Sequence, residues 1–402
     1  MIDRRSLITR SAAMAATAAF GPRLARAADA ATATLPFGNG ERPLVRYPQK
    51  RPLIRQTSRP PQLETPFEVF DEGPITPNDA FFVRYHLAGI PYDLDPDKFT
   101  LDVSGKVDRP LKLSLAEIKA MPASEIVAVN QCSGNSRSFF DPRVAGGQLG
   151  NGAMGNARWR GVALKTVLDR AGVQAGARQV TFNGMDVPIV DRTPDFVKAL
   201  DIDHARDGEV LLAYAMNGEA LPLLNGFPLR LVVPGFYGTY WVKHVDEITV
   251  IDGAFDGFWM KSAYRIPDTD CACVEPGAVP KATVPINRFD VRSFITNLAD
   301  GAKVAAHAPL VVRGIAFDGG SGIRNVDLSV DGGTTWQDAT LGEDLGRYSF
   351  RPWQATLTLP PGAHAIKVRA TTTAGETQPA AARWNPAGYM RNVIETVSVT
   401  AA

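Results

Sequence analysis

The sequence has little of the chemistry that marks several common classes of protein. Its 402 residues include 3 cysteines and 5 histidines, and the formal net charge is +1. The scattered histidines and the cysteine spacing argue against a zinc centre, and the small net charge gives no electrostatic case for nucleic acid or an anionic membrane. No Cys-x-x-Cys-His motif for haem attachment is present. Beyond residue 28, no apolar run approaches the roughly 20 residues of a membrane span.

The first 28 residues are predicted to be an export signal. Paired Arg4 and Arg5 precede a moderately apolar segment, residues 11–20, and the stretch ends in Ala25-Arg26-Ala27. Basic, apolar and small residues in this order are typical of a twin-arginine signal, whereas the alternative is a first helix of the mature fold. We therefore expect the mature protein to be periplasmic.

Residues 29–65 and 66–280 differ in composition and in hydrophobic periodicity. The first segment is rich in Pro, Arg and Thr with little periodicity, which predicts an extended arm lying over the surface or a partner. The second mixes short strands with helical patterns, among them a capping box at Ser114 and Glu117, an amphipathic pattern over 162–171 and a helical turn near 196–200. This mixture predicts an α+β domain.

Residues 281–402 predict a second, all-β domain. Segments 326–330 and 366–370 alternate apolar and polar residues, and the turn signal Asp331-Gly332-Gly333 follows the first of them. Short strands with turns and no helical period favour an immunoglobulin-like β-sandwich. The alternative is an extension of the first domain's sheet.

The stretch around Cys132 carries the strongest chemical signal. Residues 125–129 predict a short buried strand, so Cys132 would emerge at a strand end among Asn, Gln and Ser side chains. Arg137 lies five residues further on, and a positive neighbour favours the thiolate, the form of cysteine that binds metal. The alternative is a small, inert, buried thiol.

The run Val129-Asn130-Gln131-Cys132-Ser133-Gly134-Asn135-Ser136-Arg137 resembles the active-site signature of the sulfite oxidase family of molybdenum enzymes. Nearly the whole chain after residue 40 fits the family pattern. Within the family, it is most similar to the molybdopterin subunits of bacterial periplasmic sulfite dehydrogenases, which pass electrons to a c-type cytochrome. The resemblance implies a molybdenum-molybdopterin cofactor, with Cys132 as the metal ligand, and a C-terminal sandwich of the kind that often mediates dimerisation.

Further motifs imply the residues that bind the cofactor. Arg84-Tyr-His86 is similar to the family's Arg-x-His motif, and Phe182-Asn-Gly-Met-Asp186 to the segment whose aspartate contacts the pterin. Asn225-Gly-Phe-Pro-Leu-Arg230 resembles a motif that begins with histidine in animal enzymes, and the loop after it ends in Lys243. The implied cofactor-binding residues are His86, Cys132, Asp186, Asn225, Arg230 and Lys243.

Substrate binding is expected to depend on arginines, because converging guanidinium groups bind a small oxyanion such as sulfite. By resemblance, Arg84 and Arg137 fit two anion-binding positions, and Tyr264 fits the tyrosine that approaches the metal's oxygen ligand. A third arginine follows a Trp-Asn pair in animal enzymes. Here Trp384-Asn385 is not followed by arginine at that place, and Arg391 is the candidate substitute.

The implied reaction is oxidation of sulfite to sulfate, with two electrons leaving singly to a c-type cytochrome. Because the sequence has no haem attachment motif, we expect the haem to lie in another polypeptide, so the protein would be a hetero-oligomer or a homodimer. One alternative is a related molybdopterin oxidoreductase that acts on sulfoxides or other sulfur compounds, although the arginines speak against it. Another is a non-enzymatic, exported β-sandwich binding protein.

Two other patterns receive structural interpretations. Gly150-Asn-Gly152-Ala-Met-Gly155 matches Gly-x-Gly-x-x-Gly, but no apolar strand precedes it, so we reject a dinucleotide site and predict a flexible loop. Cys271-Ala-Cys273 offers a poor geometry for a local disulfide, and no role is predicted for these two cysteines.

Overall fold

The computed structural model describes residues 31–35 and 40–402, so the predicted export signal, residues 1–28, lies outside the described residues. The segment expected to be an extended arm contains strands that pair with the next region in an antiparallel sheet. In spatial order its strands are β1 (Thr32–Thr34), β2 (Glu41–Val45), β3 (Leu53–Ser58), β4 (Pro61–Glu64) and β5 (Val83–Arg84). Leu53, Leu63 and Val83 from these strands, with Tyr85, belong to one buried cluster.

The region after the arm mixes strands with short helices, in keeping with the α+β class. Four 3-10 turns accompany these elements, at Phe67–Asp71, Arg137–Phe139, Leu223–Asn225 and Gly238–Tyr240. In chain order the elements are β6 (Thr100–Gly105), β7 (Leu111–Ser114), α1 (Leu115–Lys119), β8 (Ala123–Gln131), β9 (Met154–Ala163), α2 (Leu164–Ala171), β10 (Gln179–Gly184), β11 (Lys198–Asp201), α3 (Ile202–Ala205), β12 (Leu211–Met216), β13 (Glu219–Ala220), β14 (Arg230–Val232), β15 (Val245–Ile251), α4 (Phe258–Lys261) and β16 (Arg265–Pro267).

Apart from β16, these strands form two sheets that share one core. One sheet has the order β11-β10-β15-β6-β7, in which β15 and β6 are parallel. The other has the order β13-β12-β9-β8, and β14 pairs with β12. Because β8 pairs with β9 along its whole length, its last residue, Gln131, is held opposite Met154. The next residue, Cys132, therefore has a fixed starting point.

Local sequence signals located two helices, and tertiary pairing overrode a third. Ser114 caps α1 in a complete capping box with Glu117, and Gly172 ends α2 in the left-handed conformation. The helical turn predicted near 196–200 is wrong. Residues Lys198–Asp201 instead pair with β10, since a strand that completes a sheet edge satisfies more backbone groups than an isolated turn.

The C-terminal region is a β-sandwich, as predicted. A short strand, β17 (Thr283–Pro285), pairs with β16 before the sandwich begins. The sandwich strands are β18 (Arg292–Ile295), β19 (Ala302–Val304), β20 (Pro309–Phe317), β21 (Ile323–Ser329), β22 (Gln337–Asp338), β23 (Thr340–Leu341), β24 (Arg351–Thr358), β25 (Gly362–Thr372) and β26 (Glu395–Ala401). They form two sheets of the orders β18-β20-β24-β23 and β19-β26-β25-β21-β22, whose facing sides bury a core that includes Val312, Trp353 and Ile366.

The two regions contact each other through aromatic side chains and a backbone bond. Phe70 packs edge-on against Phe350, and Phe67 against Phe294. The Val129 amide in β8 donates to the Tyr348 carbonyl at 2.9 Å. Within the described residues, 31–35 and 40–402, no helix is both long and apolar enough to cross a bilayer.

The prediction of a flexible glycine loop at 150–155 is wrong, because these glycines are held in close contacts. A Cβ on Gly152 would lie 2.1 Å from the Thr65 carbonyl oxygen, and one on Gly155 would lie 2.5 Å from Phe81. The amides of Gly150 and Gly152 donate to the Glu64 carboxylate at 3.0 and 3.1 Å. Glycine is required here for close packing of the arm.

Candidate functional site

A cavity lies where the ends of β5, β8 and β14 meet, with about 570 Å³ of empty space that is partly open to solvent. The cavity contains seven of the ten residues singled out in the sequence, namely Arg84, His86, Cys132, Asp186, Arg230, Lys243 and Tyr264. Residues far apart in the chain are thus brought to one place.

Cys132 is a free thiol at the wall of this cavity. It follows directly after β8, and its amide donates to the Ala153 carbonyl at 2.9 Å, which prolongs the pairing with the β9 side. The Asn135 amide donates back to the Cys132 carbonyl at 2.9 Å and closes a tight turn. The residue is 7% exposed, and polar and cationic side chains, among them Asn130, Ser133 and Lys243, line the same cavity.

Buried cations dominate the charge of the cavity. Arg230 is 3% exposed and its guanidinium lies 5.2 Å from the Trp159 ring and 5.6 Å from the Trp241 ring. The Lys243 ammonium lies 4.2 Å from the Tyr85 ring. Burial lowers the pKa of Arg230 to about 9 and that of Lys243 to about 7, the latter helped by the nearby Arg230 charge. Among residues 31–35 and 40–402, neither side chain forms an ion pair with a carboxylate, so the cavity favours an anion.

Asp186 is the carboxylate among the residues lining the cavity. Burial raises its pKa to about 6, and the Lys243 charge opposes that rise. One carboxylate therefore faces three lining cations, Arg84, Arg230 and Lys243.

Several polar atoms at the cavity wall are buried and have no hydrogen-bond partner within the described part of the chain. They are the Asn130 amide group, the Ser133 hydroxyl, the Arg230 Nε and the Thr239 hydroxyl, and all four residues line the cavity. An unpaired buried polar group costs about 1–3 kcal/mol, so four of them at one wall indicate a polar ligand. A free thiol, buried cations and unpaired donors together suit a metal held by a polar, anionic cofactor.

His86 and Tyr264 form a coupled pair at the same cavity. The Tyr264 hydroxyl and the His86 Nε2 share a short hydrogen bond. The His86 ring stacks on Phe196 with centroids 3.8 Å apart and meets Trp259 edge-on at 5.0 Å. Burial, together with the charges of Arg84 and Lys243, holds the pKa of His86 well below its ordinary value. His86 is therefore neutral at neutral pH.

Arg84 and Arg137 occupy different depths. Arg84 lines the cavity, and its guanidinium donates to the Tyr85 carbonyl. Arg137 does not line the cavity; it donates to the carbonyls of Ala387 and Gly147 at 3.1 and 3.2 Å and lies 5.0 Å from the Tyr389 ring. Tyr389 in turn stacks on Tyr264. Arg137 therefore lies behind the stacked rings of Tyr389 and Tyr264 and does not face the cavity.

Two other candidates also lie outside the cavity lining. The Arg391 guanidinium pairs with Glu395 at 2.7 Å and lies 5.3 Å from the Phe139 ring. Arg391 is not among the residues that line the cavity. Asn225 lies behind the wall, where its backbone carbonyl accepts from Arg230 at 3.0 Å.

Sequence reasoning missed several residues at the site. Asn130 and Ser133 flank Cys132 in the quoted motif, and Thr239 lies in the loop before Lys243, so their places in those motifs were the available signal. Phe196 was assigned to a helical turn with no role in the cavity. Lys50, which reaches the back of Asn225 from the arm, carried no local signal at all.

The expectation against a local disulfide is wrong, because Cys271 and Cys273 are bonded to each other. Ala272 between them adopts a left-handed backbone with φ of 48°, which folds the two Cα atoms to within 5.0 Å. Cys132 is left as the free thiol.

An α+β domain with this thiol-containing, cationic cavity, followed by a β-sandwich, defines a molybdopterin-dependent oxidoreductase. Family models agree: residues 87–259 match the oxidoreductase molybdopterin binding domain, and residues 283–402 match the Mo-co oxidoreductase dimerisation domain. Mitochondrial sulfite oxidases of Rattus norvegicus and Homo sapiens are each 34% identical over 376 residues, 89% of this chain and 67% of theirs. Arabidopsis thaliana sulfite oxidase is 31% identical over 75% of this chain and 79% of its own length.

A solved structure shows the same fold. The sulfane dehydrogenase SoxCD from Paracoccus pantotrophus is 27% identical, with a TM-score of 0.72, over 84% of this chain and 83% of that one. The chain belongs to the sulfite oxidase family, as the motif around Cys132 indicated.

Proposed function

We propose that this protein oxidises sulfite to sulfate at a molybdenum-molybdopterin centre bound through Cys132, and passes the electrons to a c-type cytochrome in the periplasm. The observation that carries the proposal is the single cavity in which a free thiol, unpaired polar atoms and three cations meet. Each of these features suits one part of the reaction, as set out below.

The cofactor would be held by residues on three sides of the cavity. Cys132 supplies the thiolate ligand, and Arg230 and Lys243 supply charge for a phosphate and the pterin system. Asn130, Ser133 and Thr239 would hydrogen-bond to its polar edges, which satisfies atoms that are otherwise unpaired. Bound in this way, the metal centre supplies two-electron redox chemistry.

Substrate recognition is assigned chiefly to Arg84. It lines the cavity with Cys132 and has no carboxylate partner among the described residues, so its charge is available to an incoming dianion. In the net reaction sulfite gains an oxygen atom from water and releases two protons and two electrons. The hydrogen-bonded pair of Tyr264 and neutral His86 is placed to hold a proton at the Tyr264 hydroxyl or at the His86 Nε2 next to the substrate.

A surface beside the cavity supports docking of the electron acceptor. Val187, Ile189, Val190 and Phe258 are 45–57% exposed, although each is apolar. Val187 follows the cavity residue Asp186, and the Phe258 ring packs on Trp259, which contacts His86. We name these four side chains the apolar rim. An exposed apolar group of this kind next to a redox site suits a transient protein partner.

The periplasmic location rests on the sequence of residues 1–28, with its paired Arg4 and Arg5. Export of a folded, cofactor-loaded chain is the route that this signal predicts. Pairing through the β-sandwich would give a homodimer, and a tightly bound cytochrome would give a hetero-oligomer; gel filtration of the purified protein with and without the cytochrome separates the two.

Replacing Cys132 by Ser tests the proposal. The variant is expected to fold as the parent does and to lose sulfite-dependent reduction of cytochrome c by at least about a thousandfold, because the metal ligand is removed. Ser124→Ala, at an exposed position on the same strand, is the matched control and should keep full activity. Full sulfite turnover by the Cys132→Ser protein would contradict the assignment.

Similarity to a sulfane dehydrogenase makes sulfane sulfur a second candidate substrate. Comparing kcat/KM for sulfite with that for a persulfide or sulfoxide, at one acceptor concentration, ranks the candidates. Sulfite should be preferred over a neutral sulfoxide, because Arg84 selects for an anion. Activity with none of these compounds, in protein without molybdenum, would favour a non-enzymatic binding protein.

A further inference from the structure

Lys50 is a fully enclosed cation that the amino-terminal arm delivers to the back of the site. It is 4% exposed, and its ammonium donates to the carbonyls of Asn78 and Phe81 at 2.6 and 3.1 Å and to the Asn225 Oδ1 at 2.5 Å. Within residues 31–35 and 40–402 no carboxylate pairs with it, since the nearby Asp79 pairs with Arg51. A buried ammonium with neutral partners alone is unusual.

Asn225 connects Lys50 to the cavity wall. Its side-chain amide donates to the Phe82 carbonyl at 3.1 Å, and its own carbonyl accepts from the Arg230 Nη1 at 3.0 Å. Phe82 and Arg230 both line the cavity. Lys50 therefore lies one layer behind it and fixes the residue that holds Arg230.

The buried charges at this place do not balance. Burial lowers the pKa of Lys50 to about 7; the Asp79 charge opposes this shift, and the Arg230 charge adds to it. Arg230 is buried and Lys243 is half-buried, and Asp186 is the carboxylate that faces them in the cavity. An anionic group in the cavity offsets this excess of positive charge, and the attraction between that group and Lys50 exists only while the arm holds Lys50 in place.

We infer that Lys50 is a positioning residue through which docking of the arm and binding of the anionic cofactor stabilise each other. The inference rests on the proposed cofactor. Because such coupling is reciprocal, the cofactor tightens the arm by the same factor by which the docked arm tightens the cofactor. The arm is thus part of the cofactor site and not a surface appendage.

Hydrogen exchange in β3 (Leu53–Ser58) measures this coupling without using activity. Full-length protein is prepared with cofactor and, from cells that cannot make molybdopterin, without it. In the parent protein, loading is expected to slow exchange in β3 by about tenfold more than in the distant strand β25. In Lys50→Gln, which keeps a hydrogen-bond donor but removes the charge, the effect of loading should fall below about twofold.

Two controls separate coupling from ordinary stabilisation. Arg46→Gln removes an exposed charge of the same arm, away from Lys50 and its partners, and should keep the parent's tenfold effect. Lys50→Arg should restore it. If the role of Lys50 were purely structural, Lys50→Gln would speed exchange by the same factor in loaded and unloaded protein. The ratio of the two exchange rates would then equal the parent's, and the inference would be overturned.

A second variant covers the case in which Lys50→Gln does not fold. Asn225→Asp places a carboxylate beside Lys50, so the arm should already be protected in unloaded protein and loading should add less than about twofold. Retention of the parent's ratio in Asn225→Asp overturns the inference. A folded Lys50→Gln protein that takes up no molybdenum supports it, because this is the reciprocal loss of cofactor affinity. If the exchange ratios contradict the inference but the parent protein oxidises sulfite, the proposed function still stands. If the parent protein contains no molybdenum, the proposed function is refuted.

Discussion

At the scale of single residues, the site is defined by charges and donors that lack partners. Arg84, Arg230 and Lys243 line one cavity without ion-paired carboxylates in the described part of the chain, and polar atoms of Asn130, Ser133 and Thr239 are unpaired. A folded protein keeps such groups buried when a ligand satisfies them. The unpaired polar atoms therefore indicate a polar ligand, and the cations indicate that this ligand is an anion.

Arg84→Met is predicted to raise the KM for sulfite by about 10- to 100-fold, because a charged hydrogen-bond donor to the substrate contributes about 1.5–3 kcal/mol. Steady-state kinetics over a range of sulfite concentrations measure it. Arg84→Lys should recover part of the loss. Arg109→Met, at an exposed arginine that donates to a backbone carbonyl, is the control and should have the parent's KM. An unchanged KM in the Arg84 variant would remove Arg84 from substrate binding.

At the scale of secondary structure, strand ends and their partners position the chemistry. The pairing of β8 with β9 fixes Cys132, and the pairing of β4 with β5 fixes Arg84. Glu64, at the end of β4, accepts from the amides of Gly150 and Gly152 and so ties the arm to the segment after the Cys132 loop. The arm therefore acts on the site from two directions, through Lys50 and through Glu64.

Glu64 gives a prediction about pH. Burial raises its pKa from an ordinary value of 4.5 to about 7, so between these values the folded state binds more protons than the unfolded state. Stability therefore falls as pH rises from about 4.5 to about 7, by an amount of about 3 kcal/mol for this group. Relative to the parent, Glu64→Gln should gain that stability between pH 5 and pH 7. Denaturant unfolding at both pH values, with both proteins in the same cofactor state, measures the difference. If the free energy of unfolding changed with pH in the same way in both proteins, the raised pKa of Glu64 would be contradicted.

The apolar rim gives a separate prediction. Ile189→Asp is expected to raise the KM for cytochrome c by about tenfold, since a charge in an apolar contact weakens docking by more than 1 kcal/mol. The rate with ferricyanide, a small acceptor that needs no docking surface, should not change. Val279→Asp, at an exposed valine in a different loop, is the control. Equal losses with both acceptors would place the effect at the metal site instead of at the docking surface.

The sequence predicted those features that depend on local patterns. The capping box at Ser114, the end of α2 at Gly172 and the strand that delivers Cys132 were predicted because neighbours in the chain set them. Features set by distant contacts were missed or misplaced. The strand at Lys198–Asp201 forms by pairing with β10. Arg137 donates to two backbone carbonyls and Arg391 pairs with Glu395, and neither side chain lines the cavity. Lys50 shows the same limit, because its partners lie up to 175 residues away.

At the scale of the whole molecule, the domain that holds the chemical site is joined to a sandwich of the family's dimerisation type, and its buried core extends to sandwich residues such as Phe294 and Phe317. The strand that ends at Cys132 also bonds to Tyr348 across the domain boundary. Arg292 at the start of the sandwich donates to Ser136, four residues after Cys132, and pairs with Glu395. The cysteine loop is thus held by both domains.

The most direct test of the central claim is the molybdenum content of the purified parent protein, measured by mass spectrometry after production in cells that make the cofactor. About one molybdenum atom per chain is predicted, because one cavity contains one thiolate ligand and its cationic surroundings. Folded protein without molybdenum would contradict the account.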